Sequence, residues 1–389
     1  MNDPNSSKTL VPRAAGELVH TTSNAGGIRA RMTAGALELA QRKALDKKTK
    51  PFRDDNAERD FLRGLEAYEN RDYSAALRQW QPLAEEGYAG AQHNLGKMYA
   101  EGRGVSQDDL QAVAWYRKAA EQEHAGAQHN LGRMYAHGQG VPQDDVQAVA
   151  WYRKAAEQQN AGAQRSLGFM YDTGRGVLQD DMQAIAWYRK AAEQGDGCAQ
   201  FNLGRMYYTG RSVPQDYTQA LAWFRKAAEQ NETGSLFNLG VMYAYGQGVP
   251  QDDEQAVAWF RKAAEQEHAG AQHNLGMMYA DGRGVSQDDV QAIAWYRKAA
   301  EQQNAGAQRS LGFMYDTGRG VPQDNMQAVA WYRKAAEQGD CYAQFNLGLM
   351  YYTGRSVSQD NKQAVAWFRK AAEQGHAQSR DMLIKFGNT

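Results

Sequence analysis

Six asparagines stand 36 or 72 residues apart, Asn94, Asn130, Asn202, Asn238, Asn274 and Asn346, with Ser166 and Ser310 filling the gaps. A carboxamide donates and accepts at once, so such a row suits the backbone of an extended peptide. It would equally suit the backbone of a neighbouring copy of the same unit. One residue before each lies a group whose chemistry changes: His93, His129, Arg165, Phe201, Phe237, His273, Arg309 and Phe345. A second variable series runs Lys97, Arg133, Phe169, Arg205, Val241, Met277, Phe313 and Leu349. Variation inside a repetitive array is a recognition signal, although drift on a solvated face gives the same picture.

Other chemistry is thin. His93, His129 and His137 invite a metal, but helices pack about 10 Å apart and metal–nitrogen bonds measure about 2 Å, so no metal is expected. Asp144 and its counterparts end loops with one to three carboxylates each, too few for calcium. Cys198 and Cys341 lie four copies of the unit apart, whereas a disulfide needs α carbons within about 7 Å. No nucleophile with a base, paired acid and base, or phosphate-cradling loop is found, so neither catalysis nor a cofactor is expected.

The elements that hold these residues follow a 36-residue period. Eight copies run without a gap from Ala89 to His376, beginning at Ala89, Ala125, Ala161, Gly197, Thr233, Ala269, Ala305 and Cys341. A period of this size specifies a solenoid. Segments 161–196 and 305–340 differ at three places, Leu178/Pro322, Asp181/Asn325 and Ile185/Val329. A block of four copies was therefore duplicated, and likeness between copies is weak evidence of function.

In the copy from 125 to 160, Ala127, Leu131, Met134 and Tyr135 share one face of a helix A. Gly138 supplies a left-handed terminus and Pro142 prevents continuation. Asp144 with Gln147 is a variant capping box that starts helix B. Its stripe of Ala148, Val149, Trp151, Tyr152, Ala155 and Ala156 is broad enough for an element packed between neighbours. The tryptophans from Trp115 to Trp367 read as core.

Residues 58–88 repeat the hairpin without the loop and form an N-terminal cap, with Pro82 expected to kink its second helix. Residues 377–389 supply a capping helix, with Met382, Leu383 and Phe386 inward, and a tail. Residues 1–57 differ: disorder is expected before about residue 28, followed by a basic, mildly amphipathic stretch from Ile28 to Lys50 read as a solvated linker helix.

With 44 basic and 45 acidic residues in 389, the chain carries a net charge of -1 and no field that attracts nucleic acid or an anionic membrane. No apolar run approaches the ~20 residues of a membrane span, and the N-terminus lacks the apolar core of a Sec signal. Two cysteines fit a reducing compartment. The expectation is a soluble, cytoplasmic monomer, with export by a non-Sec route as the alternative.

The pattern Leu131-Gly132, Tyr135, Ala148, Tyr152 and Ala155, the loop Gly138 to Asp144 and the ending Trp151 to Ala156 resemble the Sel-1-like repeat (SLR), a longer branch of the tetratricopeptide repeats. The likeness covers 89–376, and 58–88 more loosely. It implies an all-α, right-handed alpha/alpha superhelical solenoid of stacked helix-turn-helix repeats that acts as a non-catalytic adaptor or assembly scaffold. It also assigns helix A to the concave face, so that positions 5, 6, 9, 12 and 13 of each copy would meet a protein or peptide partner.

On that face the candidate contacts are the six asparagines with His129, Arg133, Phe201, Arg205, Tyr208, Phe237, Val241, Tyr245 and Phe345. Phe201, Tyr208, Phe237, Val241 and Tyr245 are expected to form an aromatic patch. The alternative is that these rings fill the inner side of the superhelix. Ser212 and Ser356 replace the second loop glycine and are expected to stiffen or reshape those loops. The copy that begins Thr233-Gly-Ser-Leu, in place of Ala-Gly-Ala-Gln, is the expected place for a bend. Beta-lactam hydrolysis is ascribed to cysteine-rich relatives whose repeats each carry a cysteine pair, and no repeat here does. Two functions stay in view, an intracellular adaptor and a bacterial secreted or surface-associated virulence factor engaging a host protein.

Overall fold

Two local signals, recurring in every copy, bound the helices of each hairpin. The computed structural model describes residues 55–387. In each copy two 13-residue helices form, such as Ala125–His137 and Asp145–Glu157. An aspartate N-cap starts every helix B, from Asp108 to Asp360, its carboxylate accepting from the backbone N–H of the glutamine three residues on. Helix A ends at a left-handed glycine; at Gly138 φ is 66° and the N–H donates to the Met134 carbonyl. Ser212 and Ser356 do not alter the conformation at the second loop glycine: they adopt the same left-handed conformation, with φ of 56° and 55°. Ser212 Oγ also donates to Asp181 Oδ2 at 2.8 Å.

Within a hairpin the two helices approach closely because helix A carries a glycine under the helix B ring. A Cβ on Gly132 would fall 2.7 Å from Tyr152, and one on Gly240 2.5 Å from Phe260. Leu131, Met134, Ala148, Tyr152, Ala155 and Ala156 close the core around them.

Consecutive hairpins are tied by a buried glutamine. Gln128 Nε2 donates to the Ala120 carbonyl of the preceding helix B at 3.1 Å, while its Oε1 accepts from Gln158 at the end of its own helix B at 2.8 Å. The same pair of bonds recurs at Gln92, Gln164, Gln200, Gln272, Gln308 and Gln344. Both bonds satisfy groups that burial would otherwise leave unpaired, a cost of about 1–3 kcal/mol each.

The described chain forms two compact units, 55–230 and 231–387. The first holds the hairpin Asp55–Glu69 and Tyr73–Glu85 and four copies; the second holds four copies and the helix Ala377–Gly387. Each is an all-α superhelical repeat stack; the described residues contain no strand. In sequence the division falls at Gln230/Asn231, at the head of the Thr-Gly-Ser-Leu copy. There Leu236 takes the latch position with no amide to donate, and Gln266 accepts from Thr233 Oγ1.

The helix Tyr73–Glu85 continues unbroken through Pro82. In the last helix Met382, Leu383 and Phe386 are half-buried and Lys385 is exposed. The expected disorder before residue 28 and the basic stretch from Ile28 to Lys50 lie outside the described residues. Of the eight tryptophans from Trp115 to Trp367, Trp115 is buried and the other seven are half-buried, Trp151, Trp187, Trp223, Trp331 and Trp367 packing against the core. A lysine three residues on covers each ring, at 4.0 to 4.5 Å from the ring centroid.

Candidate partner-binding face

Position 5 is half-buried in every copy and is bound up in packing. Its ring lies against the helix B ring at position 28: His129 is 5.7 Å from Tyr152, His273 5.7 Å from Tyr296, Phe201 6.0 Å from Phe224, Phe237 6.0 Å from Phe260 and Phe345 5.7 Å from Phe368. Wherever position 5 is Phe, position 28 is Phe; wherever it is His or Arg, position 28 is Tyr. The cap of the next helix A follows suit. Phe237 stacks on His268 at 4.6 Å and His93 on His124 at 4.7 Å, whereas Arg165 and Arg309 pair with Asp196 and Asp340 at 3.5 and 3.4 Å.

Position 2 of the next copy also responds. His93, His129, Phe237 and His273 face Gly126, Gly162, Gly270 and Gly306, where an added Cβ would come within 2.9 to 3.4 Å of the ring. Arg309 instead lies over Tyr342 at 5.1 Å, and Arg165 faces Cys198. The changing chemistry at position 5, which in the sequence looked like recognition, thus has a packing cause. The coupling was legible in the Phe/Phe and His-or-Arg/Tyr pairs.

The polar members of this set are strongly perturbed. Lost hydration, then the Arg165 and Arg133 charges, lower His129 to about 4. Lost hydration and Arg309 lower His273 to about 3. Both rings are therefore neutral at pH 7, and each lies within hydrogen-bond distance of the next copy's serine, His129 Nε2 to Ser166 Oγ at 3.3 Å and His273 Nε2 to Ser310 Oγ at 3.4 Å.

The asparagine row has several separate arrangements. Asn130 Nδ2 meets His93 Nε2 at 3.0 Å, and Asn238 Nδ2 donates to the Gly234 carbonyl of its own helix at 2.7 Å. Asn94 Nδ2 is buried without a hydrogen-bond partner. Asn202, Asn274 and Asn346 are half-buried at the same register.

Positions 9 and 13 carry the exposed groups. Arg133 and Arg205 are exposed, as is Tyr245 at 39%. Position 12 turns inward in five copies, where Ala136, Asp172, Tyr208, Ala244 and Ala280 are buried, while Tyr352 in the last copy is exposed. Of the expected aromatic patch, Phe201 and Tyr208 belong to the first unit and Phe237, Val241 and Tyr245 to the second. Tyr208 is 8% exposed and Val241 5%, so their side chains offer a partner almost nothing.

A charged clamp at the inter-repeat junctions was not anticipated. Arg175 Nε and Nη2 bind Asp145 of the preceding copy at 3.0 and 2.6 Å, and Nη2 also donates to the Ala136 carbonyl at 2.9 Å. Arg283 with Asp253 and Arg319 with Asp289 repeat it. Between the third and fourth copies, buried Asp172 adds ion pairs to Arg205 at 3.0 Å and Arg211 at 2.6 Å. Its carboxylate also raises the Tyr188 hydroxyl far above the ordinary tyrosine value, second to burial as a cause.

Cys198 is exposed and Cys341 half-buried, both as thiols. Among the described residues no three His, Cys, Asp or Glu side chains gather to hold a metal ion, and no helix is long and apolar enough to cross a membrane.

Comparison with known proteins agrees with this architecture. The Sel1 repeat model matches 89–124, 125–160, 161–196, 199–232, 234–268, 269–304, 305–340 and 341–376. A protective antigen present in uropathogenic Escherichia coli strains, whose crystal structure displays an SLR fold, is 41% identical with a TM-score of 0.70, over 78% of this chain and 65% of that one. A Sel1 repeat protein from Oxalobacter formigenes is 32% identical with a TM-score of 0.60, over 89% of this chain and 99% of that one. An exopolysaccharide production negative regulator of Rhizobium leguminosarum bv. viciae is 39% identical over 56 residues, 14% of this chain and 21% of the regulator. The chain therefore spans just under two thirds of the antigen and about a fifth of the regulator. With its eight matched copies, the buried glutamine latch and the paired helices of every hairpin, the chain belongs to the Sel1 repeat family.

Proposed function

We propose that this protein is a non-catalytic scaffold that holds a partner protein or peptide along its helix A face. Sel1 repeat proteins are in general protein-interaction scaffolds, and their solenoid fold is typically non-catalytic. The observation that carries the reading is the contrast between the two variable series. Position 5 varies with its packing partners, whereas in the first unit position 9 exposes Arg133, which makes no ion pair among the described residues, and Arg205 beside its pairing with Asp172, and in the second unit position 13 exposes Tyr245. Exposed cations and an aromatic edge on a rigid helical face are the groups a partner can use. Phe201, Phe237, Phe345 and the asparagines contribute edges and single acceptors, with most of their surface committed to the stack.

The test changes Arg133 to Glu and Tyr245 to Ala, neither of which is in the Asp172 ion pair, and measures recovery of partners obtained with the wild-type protein, circular dichroism confirming the fold. Recovery is expected to fall at least about tenfold. Undiminished recovery by the folded variant would contradict the reading.

A second reading, a secreted or surface-associated factor engaging a host protein, is favoured by the likeness to the uropathogenic antigen. It predicts that deleting residues 1–54 lowers the extracellular amount. Equal amounts with and without that segment favour the intracellular scaffold.

A further inference from the structure

At one junction the clamp is open. Between the first two copies, Asp109 occupies the place of Asp145 and Gln139 that of Arg175, so the carboxylate has no guanidinium to meet. Opposite it, Arg133 occupies the place of Arg205, and Ala100 the place of the buried Asp172 that Arg205 binds. Neither Asp109 nor Arg133 makes an ion pair among the described residues. Where the third junction is filled by two guanidinium groups on one carboxylate, this one leaves a partly open cavity of about 140 Å³. Its wall includes Lys97, Asp109, Tyr116, Asn130, Arg133 and Gln139. Glu101, also in the wall, is already held by Arg103 at 2.9 Å and by the Tyr68 hydroxyl at 2.9 Å.

The duplicated block has no such site. The residues 144 positions on are Asp253, clamped by Arg283 at 2.6 Å, and Met277 in place of Arg133. The first junction therefore lacks two specific groups, a guanidinium for Asp109 and a carboxylate for Arg133, that other junctions supply from within the chain.

We propose that a partner polypeptide supplies both, inserting an arginine side chain toward Asp109 and a nearby carboxylate toward Arg133. The inserted guanidinium would take the place of Arg175, where one such group binds a carboxylate through two nitrogens and a main-chain carbonyl as well. The inserted carboxylate would take the place of Asp172. This inference rests on the helix A face being a partner-binding face, and it names what one part of that face accepts.

The probes are blocked tripeptides, acetyl-Asp-Gly-Arg-amide and acetyl-Arg-Gly-Asp-amide, with controls in which citrulline replaces Arg and Asn replaces Asp, titrated into the full chain by calorimetry. At least one charged order should bind with a dissociation constant on the order of 0.1–1 mM, and both neutral controls should bind at least about tenfold more weakly. The decisive variant restores the missing groups internally. Ala100→Asp with Gln139→Arg should abolish peptide binding while the thermal midpoint holds or rises, which separates a filled site from a misfolded one. Equal binding of charged and neutral peptides, or binding retained by the double variant, overturns the proposal. Free arginine binding as tightly as the peptides would overturn the choice of a polypeptide ligand. If no charged peptide binds and the double variant still recovers the wild-type partners, the site is refuted and the scaffold reading stands. If the peptides bind but the wild-type protein recovers no partner, the scaffold reading fails instead.

Discussion

The first and second inter-repeat junctions are built on the same helices, the same aspartate at the start of helix B and the same glutamine latch. They differ in how the junction is closed. At the second, Arg175 fills the space and fixes Asp145; at the first, Gln139 leaves a cavity beside Asp109. The lesson is a division of labour. Glutamine latch, helix caps and ring-on-glycine packing stack the repeats, and at these two junctions the arginine clamp is what separates a closed seam from an open one.

That comparison breaks most clearly at the third junction, where Asp172 is buried between Arg205 and Arg211. Asp172→Ala removes the acid and leaves two cations side by side, so urea denaturation should show a loss of about 3 kcal/mol or more. Asp109→Ala at the open junction should change stability by less than about 0.5 kcal/mol. Equal losses at the two sites would erase the distinction.

Acid should act through the second and sixth junctions, where His129 and His273 are buried. His129 titrates near 6.5 when unfolded and at about 4 when folded, so the unfolded chain takes up the proton first. Its contribution is complete above pH 6.5 and is lost as pH falls from 6.5 to 4, by about 2–3 kcal/mol. The pair change His129→Phe with Tyr152→Phe, which copies the Phe237/Phe260 pairing, should reduce that slope in urea midpoints measured across the window, His273 supplying what is left. Smaller again is Arg175→Gln, which makes the second junction resemble the first and should cost about 1–2 kcal/mol, moderated by the partial exposure of the pair. The smallest effect is Gln139→Arg, which should stabilise the first junction by up to about 1 kcal/mol; Asp109→Asn in the same chain should cancel it.

Much of the fold was legible because its signals are local. Glycine at the helix A terminus, aspartate at the helix B cap and apolar residues at helical spacing act within a few residues of one another. Likewise Thr233-Gly-Ser-Leu marks the copy in which a leucine replaces the latch glutamine. The candidate site was less legible because it depends on contacts 16 to 39 residues apart. Tyr188 reaches Asp172, Arg175 reaches Ala136, and the position 5 rings answer to three partners in two copies. Read one position at a time, Phe201 and Phe237 looked like anchors; read in pairs with Phe224 and Phe260, they belong to the packing. Tyr208 and Val241 are covered for a simpler reason. Position 12 turns inward at Tyr208, and a valine at position 9 is short enough to be covered where an arginine extends outward.

Site-specific photo-crosslinking in the native organism tests the scaffold most directly, with the crosslinker placed at Arg133, Arg205 and Tyr245 on helix A and at Lys118, Lys190 and Lys262 on helix B. The account predicts protein adducts concentrated at the three helix A positions. Adducts confined to the helix B lysines, or equal from both faces, would contradict it.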